Sequence, residues 1–207
     1  MKLTTLASTK KDYPASDAIF AAPINKALLA QAVYVYRNNE RQGTAKTKTR
    51  SEINRTHKKW FKQKGTGNAR HGARNPNIFV GGGVSHGPNG QQNYSAKLTT
   101  KMKQKALVSA LSWQAPQILV CDALNDLDGK TKSAAALLKT QLASNDTRIL
   151  IVVDQITPLQ RRSLNNLTSV LTVSASRLNT LQVLHADTII FTGPALDELA
   201  KRLAVKA

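Results

Sequence analysis

Residues 148–191, RILIVVDQITPLQRRSLNNLTSVLTVSASRLNTLQVLHADTIIF, decide the fold of this chain. Three short apolar runs alternate here with two helical stretches: the runs are residues 148–153, 170–173 and 188–191, and the helical stretches are residues 158–167 and 178–184. The runs are apolar at nearly every position, which is typical of strands buried on both faces. Strands that alternate with helices in this way predict a mostly parallel sheet covered by helices.

The alternation continues on both sides of this stretch. Residues 117–121 (QILVC) predict a further strand. Helices are predicted at residues 25–37, 96–113 (with Ser95 as the N-cap), 133–142 and 195–205. We therefore expect an α/β fold in which residues 1–40 and 95–207 form a single globular domain. Residues 41–94 are expected to form a long, basic, glycine-rich extended loop inserted in that domain.

The predicted loop begins with RQGTAKTKTRSEINRTHKKWFKQKGTGNARHGAR at residues 41–74. These 34 residues hold eleven Lys or Arg and a single acid, Glu52. Nine of the 11 glycines of the chain fall between Gly43 and Gly90. A segment with so few aliphatic residues and so much like charge cannot build its own core and repels itself. It needs a polyanion to fold against, and nucleic acid is the best candidate.

The remainder of the chain is nearly neutral. Residues 1–36 carry four bases and two acids, and residues 106–207 carry ten bases and eight acids, whereas residues 37–105 carry sixteen bases and two acids. The formal charge of +18 is therefore concentrated in one block. The loop is also far longer than the roughly 12–15 residues beyond which a connection is usually functional or disordered.

Composition limits the classes of protein that fit. The single cysteine, Cys121, rules out an intramolecular disulfide and fits a buried thiol in a reducing cytosol. The start, MKLTTLASTK, lacks the apolar region of a signal peptide, and no run approaches the roughly 18 apolar residues of a membrane helix. We expect a cytoplasmic protein that has no membrane partner.

The candidate RNA-binding residues are cations of the loop and its flank, with one aromatic and one amide side chain. They are Arg41, Lys46, Lys48, Arg50, Arg55, Lys58, Lys59, Trp60, Lys62, Gln63, Lys64, Arg70, Arg74, Lys97 and Lys101. Arg and Lys neutralise phosphates, and Arg can also stack on bases. A stripe of Lys97, Lys101 and Lys105 on the predicted helix is either a solvated face or a rail along the phosphate backbone.

Trp60 has two interpretations. Trp60, Phe61 and Phe79 could form a small local cluster, or they could stack on unpaired bases. Stacking is favoured for Trp60, because its basic neighbours leave nothing apolar nearby to bury it.

Patterns of other functional classes fit poorly. Residues 83–87 match the G-x-S-x-G nucleophile elbow, but neither the preceding strand nor the following helix of that motif is predicted. His57, His71 and His86 are spaced too widely for a compact metal site. No G-x-G-x-x-G follows a predicted strand, so no dinucleotide cofactor is expected. We expect no catalysis, no cofactor, no metal and no small-molecule substrate.

Three ordered blocks, RQGTAKTKTRSEI, KKWFKQKGTGNARHG and GGGVSHGP, resemble the extended loop of the L-four family of large ribosomal subunit proteins. In that family the pattern is approximately R-Q-G-T, K-T-R-[SA]-E, W-x-Q-K-G-T-G-x-A-R and G-G-G, in this order. The chain departs at Asn68, where the family commonly has Arg. It also departs at residues 57–59, where bacterial members often have Gly-Lys-Pro.

The resemblance implies a structural constituent of the large (50S) subunit that binds 23S rRNA and supports assembly. The loop would thread through rRNA beside neighbouring large-subunit proteins. Its tip would help to line the exit tunnel, in contact with the nascent peptide and near the macrolide site; the tip residues are Gln63, Lys64, Gly65, Thr66 and Gly67. The alternative is a non-ribosomal RNA-binding or RNA-chaperone protein with a disordered basic arm, which would share the charge asymmetry but would not require the three blocks.

Overall fold

The computed structural model describes residues 2–5, 13–141 and 148–203. The chain divides into two compact units. Unit 1 consists of Met1–Tyr36 and Lys97–Ala207, and unit 2 consists of Arg37–Ala96. No helix in the described residues is long and apolar enough to cross a membrane.

Unit 1 is built on a single sheet. The described residues contain six strands: β1 Lys2–Thr5, β2 Tyr13–Pro14, β3 Ile118–Val120, β4 Ile149–Val153, β5 Val170–Ser174 and β6 Thr188–Phe191. Their order in the sheet is β2-β1-β3-β6-β4-β5. Strands β3, β6, β4 and β5 form a four-strand parallel sheet. Strand β1 joins β3 in parallel, and the short β2 pairs with β1 in antiparallel orientation.

Helices connect and follow these strands. The described residues contain α1 Asp17–Phe20, α2 Lys26–Glu40, α3 Thr100–Gln114, α4 Thr131–Gln141, α5 Pro158–Leu164, α6 Thr180–His185 and α7 Gly193–Leu203. Short 3₁₀ helices flank β3, at Ala115–Gln117 and Asp122–Asp126. Thr157 and Gln160 form a capping box at the start of α5, which satisfies backbone N–H groups that the helix leaves free.

The interior strand β4 shows why the sheet is covered on both faces. All five of its residues are buried. Leu150 and Val152 belong to one apolar cluster, which includes residues of α2, α3, α6 and α7. Ile149, Ile151 and Val153 belong to the second, which includes residues of α4 and α5. Alternate side chains of a strand point to opposite faces, so each face of β4 packs against its own set of helices.

The predicted α/β fold with a parallel sheet is confirmed. All four predicted strands are present within a residue or two of their expected bounds, whereas β1, β2 and α1 were not predicted. These missed elements are two to four residues long, too short to show a periodic pattern. The predicted helix ends at residues 142 and 204–205 lie outside the described residues.

The predicted start of α3 is wrong. The N-cap is Thr99, whose side-chain hydroxyl accepts a hydrogen bond from the Met102 backbone N–H at 3.3 Å, and not Ser95. Lys97 therefore precedes the helix and cannot belong to a helical stripe with Lys101 and Lys105. Both Ser and Thr are good N-caps, so residue type alone could not choose between the two positions.

Unit 2 contains neither helix nor strand between residues 41 and 96. Its two ends are joined by Asn39, whose side-chain amide donates to the Ala96 carbonyl at 3.1 Å and whose Oδ1 accepts from the Ala96 N–H at 2.9 Å. Near these ends, the Arg41 guanidinium lies 4.1 Å from the centroid of the Tyr94 ring. The first and last residues of unit 2 therefore lie close together.

Candidate nucleic-acid interface

Backbone hydrogen bonds hold the outgoing and returning halves of unit 2 side by side. The pairs are nested: Thr47 N–H donates to the Pro88 carbonyl, Val84 N–H to the Lys48 carbonyl, and Trp60 N–H to the Gly72 carbonyl, each at 2.9 Å. Lys46 and Asn89 form an isolated antiparallel bridge next to the first pair. This framework fixes the backbone from which the basic side chains project.

Two glycines allow close approaches of the backbone in unit 2, at Gly83 between the two halves and at Gly82 within the returning half. A Cβ at Gly83 would overlap the backbone of Arg50, and a Cβ at Gly82 would overlap the carbonyl of Pro76. The Gly83 N–H donates to the Asn75 carbonyl at 3.0 Å. Glycine is therefore required at both positions for packing, because a side chain at Gly83 would push the two halves apart and one at Gly82 would overlap the backbone of Pro76 within the returning half.

Nearly all the candidate RNA-binding side chains are exposed. The exposed ones are Arg41, Lys46, Lys48, Arg50, Lys58, Lys59, Trp60, Lys62, Gln63, Lys64, Arg70, Arg74, Lys97 and Lys101. Arg55 is half-buried, and its guanidinium donates to the Arg74 carbonyl at 3.3 Å. All but Lys97 and Lys101, which belong to unit 1, lie in unit 2.

Glu52 offsets little of this charge. Its carboxylate lies 2.8 Å from the Lys46 ammonium and also accepts from the Thr49 backbone N–H at 3.0 Å. The hydrogen bond from Lys46 and that from Thr49 lower the pKa of Glu52 to about 2, so the carboxylate stays ionised at neutral pH. The other cations of residues 41–74 have no acid partner in the described residues, and unit 2 keeps a strongly positive surface.

Trp60 does not lie alone. Its ring meets Phe79 edge-on, with centroids 5.2 Å apart, and Phe61 at a tilt, with centroids 5.7 Å apart. His71 contacts both phenylalanines, at 6.2 Å from Phe61 and 4.9 Å from Phe79. The expectation that nothing apolar lies near Trp60 is therefore wrong. The local cluster of Trp60, Phe61 and Phe79, one of the two interpretations of the sequence, is present, and His71, which is distant from Trp60 in sequence, joins it.

The predicted tip, Gln63 to Gly67, lies in the connection between the paired residues Trp60 and Gly72. All five residues are exposed. Gly65 and Gly67 adopt positive φ angles of 85° and 65°, a conformation that favours glycine, and open space surrounds both. The Lys59 ammonium donates to the Gln63 side-chain oxygen at 2.7 Å, which holds the start of the tip.

Comparison with known proteins identifies the family. The model of the ribosomal protein L4/L1 family matches residues 13–202. The chain belongs to the ribosomal protein L4/L1 family. The match spans the described sheet strands from β2 onward and the whole of unit 2. The family resemblance seen in the three sequence blocks is confirmed.

Similar proteins within the L4/L1 family are each named large ribosomal subunit protein uL4. The protein from Desulforudis audaxviator is 37% identical over 191 residues, which cover 91% of each chain. The protein from Thermobifida fusca is 38% identical over 185 residues, 88% of this chain and 83% of its own. The protein from Aquifex pyrophilus is 36% identical over 199 residues, 93% of this chain and 97% of its own.

Sequence reasoning missed two residues that organise unit 2 of this L4/L1 family member. Asn39 joins its ends, and Asn75, which is buried, donates from its side-chain amide to the Arg50 carbonyl at 3.0 Å. The same amide lies 3.3 Å from Nδ1 of His57. The only local signal was an Asn before Pro76, a common turn dipeptide that does not reveal a long-range partner.

The patterns of other functional classes have no supporting geometry in this member of the L4/L1 family. Ser85 of the G-x-S-x-G match lies in a stretch, residues 75–99, that contains no strand or helix. His57 lies beside Asn75, whereas His71 packs in the aromatic cluster. Within the described ranges, no three His, Cys, Asp or Glu side chains are grouped in a way that could hold a metal ion.

Proposed function

We propose that this chain is a structural, non-catalytic constituent of the large ribosomal subunit and binds 23S rRNA through unit 2. It would act in the ribosome, in the cytoplasm, beside other large-subunit proteins. Its membership of the L4/L1 family supports the proposal. The relatives from Desulforudis audaxviator and Aquifex pyrophilus support it too, because they are named as large-subunit proteins and the match covers nearly their whole length.

The observation that carries the proposal is the exposed, almost unneutralised charge of unit 2. Ten net positive charges fall within residues 41–74, and the one acid there is held by Lys46. Each phosphate that a cation neutralises releases counterions, so affinity should fall steeply with salt, with a slope of about −0.7 to −0.9 per contact. Unit 1 carries a net charge of +8 spread over 147 residues, whereas unit 2 carries +10 within 60 residues.

The arrangement of the chain favours an arm that enters the rRNA. On this proposal, residues 1–40 and 95–207 form the globular domain and residues 41–94 form the extended, glycine-rich loop. Support comes from the closure at Asn39 and Ala96 and from the nested pairing of the two halves. The exposed tip, Gln63 to Gly67, would line the exit tunnel and meet the nascent peptide, with Lys64 nearest to it.

A binding assay with matched lysine variants tests this function. The unit 2 variant carries Lys48→Gln, Lys58→Gln and Lys62→Gln, and the control in unit 1 carries Lys130→Gln, Lys132→Gln and Lys139→Gln; all six lysines are exposed. Binding of each full chain to 23S rRNA and to small-subunit rRNA is measured over a range of salt concentrations.

We expect wild type and the unit 1 variant to prefer 23S rRNA with the same salt slope. The unit 2 variant should bind more weakly, and its slope should be shallower by up to about 2–3 because up to three contacts are lost. Equal binding by the two triple variants would refute the role of unit 2. Equal affinity of wild type for both RNAs would favour the alternative, a general RNA-binding or chaperone protein.

A further inference from the structure

The aromatic cluster of unit 2 leaves its largest ring accessible. Trp60 is 46% exposed, although Phe61 and Phe79 contact it. Phe79 meets the indole edge-on at 86°, so this ring does not cover the indole face in a parallel stack. The Arg74 guanidinium lies over the ring, with its central carbon 4.7 Å from the centroid. A half-exposed indole with a cation above it is the surface on which a planar ligand could stack.

The backbone beneath Trp60 is held in place, whereas the side chain of Arg74 is not. Trp60 N–H donates to the Gly72 carbonyl at 2.9 Å, and the Lys59 ammonium donates to the His71 carbonyl at 3.2 Å. The Arg74 carbonyl accepts from Arg55. The Arg74 guanidinium itself is exposed, and across the described ranges it makes no hydrogen bond and pairs with no carboxylate. Among the hydrogen bonds, ion pairs and ring contacts of the described residues, the guanidinium makes only its contact with the indole.

This contact is weaker than the one that RNA offers. A cation–π contact at an exposed site is a small stabilisation, whereas a guanidinium and a phosphate form paired, charge-assisted hydrogen bonds. An RNA strand that reaches this surface brings both a phosphate for Arg74 and a base for the indole. The exchange loses the weak contact between Arg74 and the indole, and it gains one contact between Arg74 and a phosphate and one between the indole and a base.

We propose that the Trp60 face under Arg74 is a binding subsite for one unpaired nucleobase, and that Arg74 is its movable cover. In the free protein the guanidinium shields the indole from water. On RNA the guanidinium moves to a neighbouring phosphate, and the base takes its place against the ring. This inference rests on the proposed function and adds to it a ligand class and a residue for each part of the exchange.

The test uses fluorescence of the full chain with Trp113→Phe, which leaves Trp60 as the single tryptophan. The probes are a single-stranded RNA oligonucleotide and an oligonucleotide of equal length with abasic ribose at every position. Both carry the same phosphates, but only the first carries bases. We expect both to bind with a steep salt dependence and only the first to quench Trp60. The base-containing strand should bind about tenfold more tightly, because the stacking of one base on an aromatic ring stabilises a complex by about that factor in affinity.

Variants separate the stacking ring from its cover. Trp60→Leu should remove most of the tenfold preference and leave the affinity for the abasic strand unchanged, and Trp60→Phe should fall between Leu and wild type. Arg74→Ala should weaken binding of the abasic strand while it preserves or raises the preference for bases. Arg74→Lys, which keeps the charge, should restore binding of the abasic strand.

The outcomes distinguish this inference from the proposed function. Equal binding of both strands, with no quenching of Trp60, would overturn the subsite and leave the proposed function intact. A preference for bases that persists in Trp60→Leu would place the base elsewhere and also overturn the subsite. Failure of both strands to bind would overturn the subsite and the proposed function together.

Discussion

Lys64 tests the position of the tip at the level of one residue. It is exposed, and in the described part of the chain its ammonium has neither an acid nor a hydrogen-bond partner. Lys64→Glu should therefore leave the fold of unit 2 unchanged. If the tip lines the exit tunnel, this variant should alter the minimum inhibitory concentration of a macrolide severalfold, with little change in the yield of 50S particles.

Lys130→Glu in unit 1 is the control, because it makes the same charge change at an exposed lysine far from the tip in sequence. An unchanged inhibitory concentration in Lys64→Glu, or an equal change in both variants, would count against the tunnel position.

Glu52 gives a prediction on pH dependence. The hydrogen bond from Lys46 is the largest cause of its lowered pKa, about 2 against an ordinary value of 4.5. Because the folded pKa lies below the unfolded one, the carboxylate contributes stability above about pH 4.5, and this contribution is lost as the pH falls towards 2. Lys46→Met should raise the pKa of Glu52 towards 4.5, as measured by NMR titration of the side-chain carboxyl carbon.

Asp187 provides an internal control in the same titration. Its pKa is also about 2, but the cause is its hydrogen bonds with Arg148. Its titration should not respond to Lys46→Met. A Glu52 midpoint that stays near 2 in Lys46→Met would show that Lys46 is not the cause.

At the level of elements, the start of α3 distinguishes two candidate caps. The Thr99 hydroxyl accepts from the Met102 N–H, whereas Ser95 lies before the helix. Thr99→Ala should lower the free energy of unfolding by about 1 kcal/mol, because one N–H of the first turn loses its partner. Ser95→Ala should change it by less than about 0.5 kcal/mol. Urea unfolding followed by circular dichroism measures both changes in the free energy of unfolding. A larger loss in Ser95→Ala than in Thr99→Ala would indicate that Ser95 is the N-cap.

The elements that sequence could predict are those whose signal is local. Strand β4 is apolar at all five positions and is buried on both faces, so its residue types alone predict a buried strand. Strand β2 has only two residues, and it exists because β1 lies beside it. Likewise, the contact between Trp60 and Phe79 depends on how unit 2 folds back on itself. The basic charge of residues 41–74 and the three sequence blocks that resemble the family predicted the candidate interface. The packing of side chains within it could be seen only in the structure.

At the level of the whole molecule, the hydrogen bonds between the two ends of unit 2 predict that residues 42–93 can be removed. Asn39 and Ala96 are hydrogen-bonded, so a short Gly-Ser linker in place of residues 42–93 should span the gap. The removed residues contain no helix or strand. The shortened chain should keep the helical circular dichroism of the full chain and unfold cooperatively, yet lose its affinity for 23S rRNA. Loss of cooperative unfolding would show that unit 1 depends on residues 42–93.

The central claim is that unit 2 anchors this chain in the large subunit. The most direct measurement is a sucrose-gradient profile of lysate that contains the tagged chain, run after a high-salt wash, with the shortened chain as the matched control. Binding through 6–10 phosphate contacts alone loses about 10³–10⁵ in affinity between 50 and 200 mM salt. We predict that the full chain stays in the 50S peak after the wash and that the shortened chain stays at the top. Release of the full chain to the top fractions would contradict the claim.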